Sequence, residues 1–550
     1  MRYHLEFNED SSRNETAFEE TRMTTRLNTL LIFVALSGHA FAQHDPGRNA
    51  VRLLAEDQFD EAIELVGKEP RKQNSPISES DRCFVLAMIA CRQGDLDEAF
   101  DLVQQAINQG LPMERLLAGP REFLEPLASH PPYIEWIASK KKRLLHGPML
   151  GSITDTSAKF WVRTADELNV DVVVQTVSET KEFKGTGQTS KASDFTTTIS
   201  VSGLSPDTQY QYEVLIDGQN VCPSAKFRTF PQQGNPCRVK IAFGGGAGFT
   251  PQYESMWKTL KSRDVNAMLL LGDNVYVDDP THSGTWHYCY YRRQSQPDWR
   301  RLVASVGVFS IYDDHDFAEN DCVPGPHVEK PEWKREVWNT FTQNWVNPAY
   351  GNGVEQPGCW YDFYIGDIHF IMLDGRYYRD LKGGSMLGPV QKKWLQETLK
   401  SSTGKFKVLA SPVPFSPGVK PGSKDTWDGF PSERESIFAF IEEHQINGVI
   451  LMAADRHRSD MRRIPRPNGY ALYEVMSSRL TNVHTHNLLQ DAKGSEFIIG
   501  YNDQCSFGQM EFDTTSEDPF VAFTIVNIDN QPIESRTLKL SELTCPISSP

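Results

Sequence analysis

Between residues 239 and 453 the chain carries six apolar runs of strand length, at 239–243, 267–271, 306–312, 368–373, 406–410 and 448–453. Stretches of helical period at 253–262, 388–399 and 433–443 lie between several of them. Fully apolar strands alternating with helices fold as buried sheets covered by helices, and ligands of such sheets collect beyond the strand ends. Four polar clusters follow apolar runs of this kind: Gly272-Asp-Asn-Val-Tyr276, Tyr312-Asp-Asp-His-Asp316, Asp374-Gly-Arg376 and Asp455-Arg-His457. The pattern predicts an α/β protein with a divided metal site.

Asp273 and Tyr276 are three apart across a strand-to-loop junction, so one turn presents a carboxylate and a phenol to a single cation. A carboxylate can bridge two metals, and phenolate suits a hard trivalent ion. Asp313, Asp314 and Asp316 surround His315, an arrangement whose mutual repulsion a bound cation relieves. Asp455 and His457 stand at i and i+2 just beyond an apolar run, where both can face a two-metal centre. The alternative for residues 313–316 is a solvated acidic turn. For Arg376, whose planar fork fits phosphate oxygens, the alternative is a structural ion pair.

At 550 residues the chain exceeds one ordinary core, which predicts two to four domains. Its formal charge of -16 argues against a nucleic-acid or anionic-lipid surface, while metal ions would still permit a small anionic substrate. Residues 1–42 read as an extension and signal peptide, with Met23 as the initiator, a basic start at Arg26, the apolar run Leu30-Leu-Ile-Phe-Val-Ala-Leu36 and a cleavage site after Ala40-Phe-Ala42. That run is too short for a stable membrane span. The expected location is periplasmic or extracellular. Nine widely spaced cysteines permit disulfides there but assign no pairs.

Residues 43–145 are helical in pattern, with Phe59-Asp-Glu-Ala62 echoed by Leu96-Asp-Glu-Ala99, and resemble a tetratricopeptide-like hairpin set suited to a protein partner. Irregular helices are the alternative. From Gly147 to Phe230 the period is that of strands, and Leu204-Ser-Pro-Asp-Thr-Gln-Tyr210 looks like the tyrosine-containing turn of a fibronectin type III sandwich. The stretch 231–236 reads as a linker.

Taken in order, Gly272-Asp-Asn-Val-Tyr276, Tyr312-Asp-Asp-His-Asp316, Leu373-Asp-Gly-Arg-Tyr377, Leu387-Gly-x-x-Gln391, Asp425-Thr-Trp-Asp-Gly429, Ala454-Asp-Arg-His457 and Tyr473-Glu-Val-Met-Ser-Ser478 resemble one family. It is the alkaline phosphatase D (PhoD-like) group of secreted metallophosphoesterases, related to purple acid phosphatases, and the resemblance covers about residues 146–530. The resemblance implies a fibronectin III-like β-sandwich at 146–232 and a four-layer αββα catalytic domain at 233–545, so that with the helical region at 43–145, which lies outside the resemblance, the chain is multidomain. It implies that Asp273 bridges two ions, that Tyr276 and His457 complete the sphere of a trivalent ion, and that Asp314 and Asp455 serve the second. It also places His315 beside the phosphate, to stabilise the transition state or protonate the leaving oxygen, with Arg376 as a candidate fork.

One departure stands out. Where the family carries Gly-Ser-Cys, this chain has Gly244-Gly-Gly-Ala-Gly248, which offers no side-chain donor. Water, a distant carboxylate such as Asp278 or Asp321, or nothing at all fills the gap; the glycine amides could instead embrace an anion. The reading is a secreted hydrolase of phosphate mono- or diesters with two or more metal ions, Fe³⁺ and Ca²⁺ favoured over Zn²⁺ or Mn²⁺ by the oxygen-rich donors. Its rivals are a metal-poor, non-catalytic envelope or binding protein on the same scaffold and a hydrolase of other esters.

Overall fold

The computed structural model describes residues 45–67, 77–177 and 181–546. The signal-peptide and initiator readings lie outside these residues. Helices Pro46–Ala55, Phe59–Gly67, Glu79–Gln93 and Leu96–Asn108 open the described chain. Three of them start on side-chain caps: Asp45 accepts from the Arg48 amide at 3.0 Å, Ser78 from the Asp81 amide at 3.2 Å and Asp95 from the Glu98 amide at 3.0 Å. Ala99, Val103 and Ala106 form the buried stripe of the helix Leu96–Asn108, which packs on Glu79–Gln93.

Strands Leu144–Gly151, Ser157–Thr164 and Thr196–Ser202 face a five-stranded sheet built on Asn169–Thr176 and Gln209–Ile216. Phe160 against Tyr212, with ring centroids 4.7 Å apart, and against Phe227 at 5.6 Å, fills the space between them. The Tyr210 hydroxyl accepts the Ser205 amide at 2.8 Å and so ties the preceding turn to its strand. Residues 231–236, read as a linker, carry no helix or strand, yet the regions on either side share a sheet. Leu144–Gly151 pairs in parallel with Gly307–Ile311, so a single nine-stranded sheet runs from this region into the α/β region.

The centre of that sheet is Arg238–Gly244, Ala267–Leu271 and Gly307–Ile311, all parallel. A second, seven-stranded sheet carries Ile368–Met372, Phe406–Ala410, Val449–Ala453 and Leu472–Ser477 in parallel. The two sheets meet face to face through Phe309 stacked on Phe363 at 3.9 Å, and through Phe512 against Phe370 and Phe406. Each expected apolar run is a strand here, shifted at its ends by no more than a residue or two. The hairpin Phe520–Asn527 with Pro532–Lys539 closes an edge of the nine-stranded sheet. Among the described residues no helix is long and apolar enough to cross a membrane, and the nine cysteines form no disulfide.

Candidate metal centre

The loops after Arg238–Gly244, Ala267–Leu271, Gly307–Ile311 and Val449–Ala453 converge at one edge. Their backbones are strained there: Asp273 (φ 55°), Tyr276 (φ 52°), Asp455 (φ 70°) and His457 (φ 45°) all occupy the left-handed region. Such conformations cost ~1–3 kcal/mol each for non-glycine residues and cluster at functional sites. Gly272 permits the close approach, because a Cβ there would stand 2.4 Å from that of Asp313. The loop is then pinned by Asp316, whose carboxylate accepts the amides of Asn274 at 2.8 and 2.9 Å and of Val275 at 2.9 Å.

Ligand atoms of Asp273, Asp314 and His315 lie within 4.8 Å of one another. The Tyr276 hydroxyl donates to Asp273 Oδ2 at 3.2 Å, and its ring stacks on His315 at 4.6 Å. His457 approaches the same floor: a Cβ on Gly246 would be 3.3 Å from its Nδ1, while the amides of Gly246 and Ala247 bond to the carbonyls of Gly272 and Asp273. Asp273 Oδ1, Asp455 Oδ2 and His457 Nδ1 are buried with no hydrogen-bond partner. Buried polar atoms left unsatisfied are costly, and an oxygen-rich set with one imidazole nitrogen is the donor chemistry of a hard cation. The residues fit a metal centre.

The ionisation states agree. Burial, with Asp314, Asp313 and Asp316 nearby, pushes the Asp273 carboxyl well above the usual range against the opposing pull of His315. Burial and the neighbouring Asp425 and Asp314 push Asp455 up to about 6. Burial, reinforced by His486 and His315, holds His457 well below its ordinary value and therefore neutral, the form that ligates. Burial acts on Asp314 too, but the Arg376 and His315 charges together outweigh it, so this carboxyl stays below the normal value.

Arg376 departs from the phosphate-fork expectation. It is fully buried, with Nε on Asp313, Nη1 2.7 Å from Asp425 and Nη2 3.5 Å from Asp314. Carboxylates occupy the fork, and reaching a substrate would strand three buried charges. Residues 313–316 are likewise not held by cations alone: Arg376 serves Asp313, backbone amides serve Asp316, and Asp314 accepts the amides of His315 at 3.1 Å and Asp321 at 2.6 Å while its oxygens also lie within reach of Asp273 and His315. A second group, Asp314, Asp321 and Asp425, also has cation-binding spacing. Lys420 already stands in it, 3.1 Å from Asp321 and 3.0 Å from Asp425, and Arg379 reaches Asp425 at 2.6 Å.

The glycine segment is not an anion cradle. Gly245, Gly246 and Ala247 spend their amides on the carbonyls of Ser477, Gly272 and Asp273. A Cβ at Gly245 would lie 2.7 Å from that of Ala454, and at Gly246 2.3 Å from the Ser478 carbonyl, so this packing excludes a ligand side chain. Nor do the two carboxylates considered as substitutes turn toward the gap. Asp278 is engaged by Arg48 and His315, and Asp321 by Lys420. Lone charged residues in loops or helices, such as Arg48 and Lys420, carry no local signal of these partners.

Two packed sheets covered by helices, with a carboxylate-rich candidate metal centre at their loop edge, are what these features define. The model of the PhoD-like phosphatase family matches residues 241–519, and that of a domain of unknown function, DUF7800, matches 141–235. Alkaline phosphatase D of Bacillus subtilis (strain 168) is 24% identical over 325 residues, covering 50% of this chain and 55% of that relative, so the match spans about half the relative's length. A solved structure of PhoD superposes with a TM-score of 0.62 at 18% identity, covering 73% of this chain and 91% of that one. The purple acid phosphatase PPD1 of yellow lupin (Lupinus luteus) gives 0.56 at 13% identity, over 74% and 78%. The chain belongs to the PhoD-like phosphatase family.

Proposed function

We propose that this chain is an exported metal-dependent hydrolase of phosphate mono- or diesters. The observation that carries the reading is the cluster of Asp273, Asp314 and His315, whose ligand atoms lie within 4.8 Å of one another, together with the buried atoms Asp273 Oδ1, Asp455 Oδ2 and His457 Nδ1 that have no hydrogen-bond partner. Asp273 would be shared between two ions, Tyr276 and His457 would complete one sphere, and Asp314 and Asp455 would serve the other. Bound cations supply Lewis-acid stabilisation of phosphoryl charge and ready deprotonation of water. His315, partly buried beside Asp273 and Asp314, would stabilise the transition state or protonate the leaving oxygen. Arg376 serves the centre by holding Asp313 and Asp314 in place rather than by binding phosphate.

Fe³⁺ and Ca²⁺ suit the donors best, with Zn²⁺ or Mn²⁺ as alternatives. We read the chain as a helical region at 43–145, a fibronectin III-like sandwich at 146–232 and a catalytic region at 233–545, with a small phosphate ester rather than nucleic acid as partner. Elemental analysis and hydrolysis of activated phosphate mono- and diesters, on wild type and Asp273→Asn, test the reading. The substitution is expected to lose metal and at least ~10²-fold in kcat. A visible absorption band that disappears in Tyr276→Phe would mark Fe³⁺. A metal-free wild type inert toward every phosphate ester would favour the non-catalytic alternative, which the donor-less glycine segment motivates.

A further inference from the structure

We propose that Arg48, on the helix Pro46–Ala55, the first among the described residues, is a positioning residue for the His315 imidazole, so that the helical region completes the centre. The proposal rests on His315 being the group beside the phosphate, as read above. Arg48 is 4% exposed, and Nη1 both donates to the Tyr276 carbonyl at 3.1 Å and pairs with the Asp278 carboxylate. Its Nε and Nη2 hold Asn49 Oδ1 at 3.0 and 2.8 Å, which fixes the plane of the guanidinium. The other Asp278 oxygen receives His315 Nδ1, and the Asp278 amide donates to the His315 carbonyl at 3.0 Å. With Nδ1 held and the ring stacked on Tyr276, Nε2 is the nitrogen left for the substrate side.

The helix is itself immobilised. Asp45 and Asp81 pair with Arg292, Tyr288 donates to Asp81 at 2.9 Å, and Gly47 lies so close beneath Tyr288 that a Cβ would be 2.2 Å from its hydroxyl. Arg52 adds a second clamp, donating to the Asp278 carbonyl at 3.1 Å and pairing with Glu319 at 3.1 Å. One helix thus grips both the 276–278 loop and the segment following His315. Residue 48 lies outside both stretches matched by the family models. The contact is therefore an addition to the matched scaffold.

The test uses the full chain and bis(p-nitrophenyl) phosphate, with Arg48→Met, Arg48→Lys, His315→Ala, the double variant Arg48→Met/His315→Ala, and Arg92→Gln as a control at an exposed ion pair with Asp57. Arg48→Met is expected to lower kcat roughly 10- to 100-fold while KM and bound metal stay within about twofold. Arg48→Lys should recover part of the loss, and Arg48→Met should cost nothing further when His315 is already Ala. The proton resonance of the His315 Nδ1–H, assigned by its absence in His315→Ala, should shift in Arg48→Met whatever the rate. Full activity in His315→Ala would overturn the reading of His315 itself. A slow His315→Ala beside an unaffected Arg48→Met, an equal loss in both backgrounds, or an unshifted resonance would overturn the role of Arg48.

Discussion

At Gly246 the backbone has φ 64° and the Ser478 carbonyl stands where a side chain would begin. Gly246→Ala must therefore move the floor on which Asp273 and His457 rest. A loss of about 2–4 kcal/mol in chemical denaturation, with weaker metal retention, is the expected result. The ligand residues themselves are legible in the sequence, because carboxylate, phenol and imidazole after an apolar run are a local pattern. Arg376 is not: the same side chain suits a phosphate or three carboxylates, and only its neighbours, far apart in sequence, distinguish these.

Among the elements, the strand Leu472–Ser477 brings a buried carboxylate to the seven-stranded sheet. Glu474 accepts the amides of Phe415 at 2.6 Å and Ser416 at 3.0 Å, and burial, only partly offset by those bonds, raises it from 4.5 to about 7. Its folded-state proton is the more tightly held. Stability from this group is thus complete below the unfolded value and is lost as pH rises from about 4.5 to about 7, by on the order of 3 kcal/mol. Glu474→Gln should flatten that part of the curve of melting temperature against pH. The six apolar runs are legible almost to the residue because those buried strands are almost wholly apolar, whereas Leu472–Ser477, which buries Glu474, carries no such run. The tie between Glu474 and the loop at 415–416 is a pairing across sequence and leaves no local mark.

Across the assembled chain, Arg163 joins three regions that look separate in the sequence. It is fully buried and reaches His146 at 2.8 Å, Asp194 at 2.8 Å and Asn344 at 2.8 Å, while Arg121 from the helical region and Tyr291 from the α/β region meet the same Asp194. Arg163→Met removes the largest counter-charge of a buried carboxylate. It should cost ~3–5 kcal/mol and destabilise the helical region and sheets together in calorimetry; a transition confined to one region would contradict this coupling.

Local patterns of burial and polarity are enough to place the six apolar strands, the polar clusters that follow them and the family, because which residues avoid water and which suit cations are properties of short segments; the less apolar strands, such as Ser459–Ile464 and Glu496–Tyr501, are not marked in this way. Charge pairing is not such a property. Which buried carboxylates meet an arginine and which remain without a partner, how closely the glycine loop packs, and that a helix 230 residues away grips Asp278 depend on long-range approach in a low-dielectric interior, where every charge takes the partner that folding brings to it.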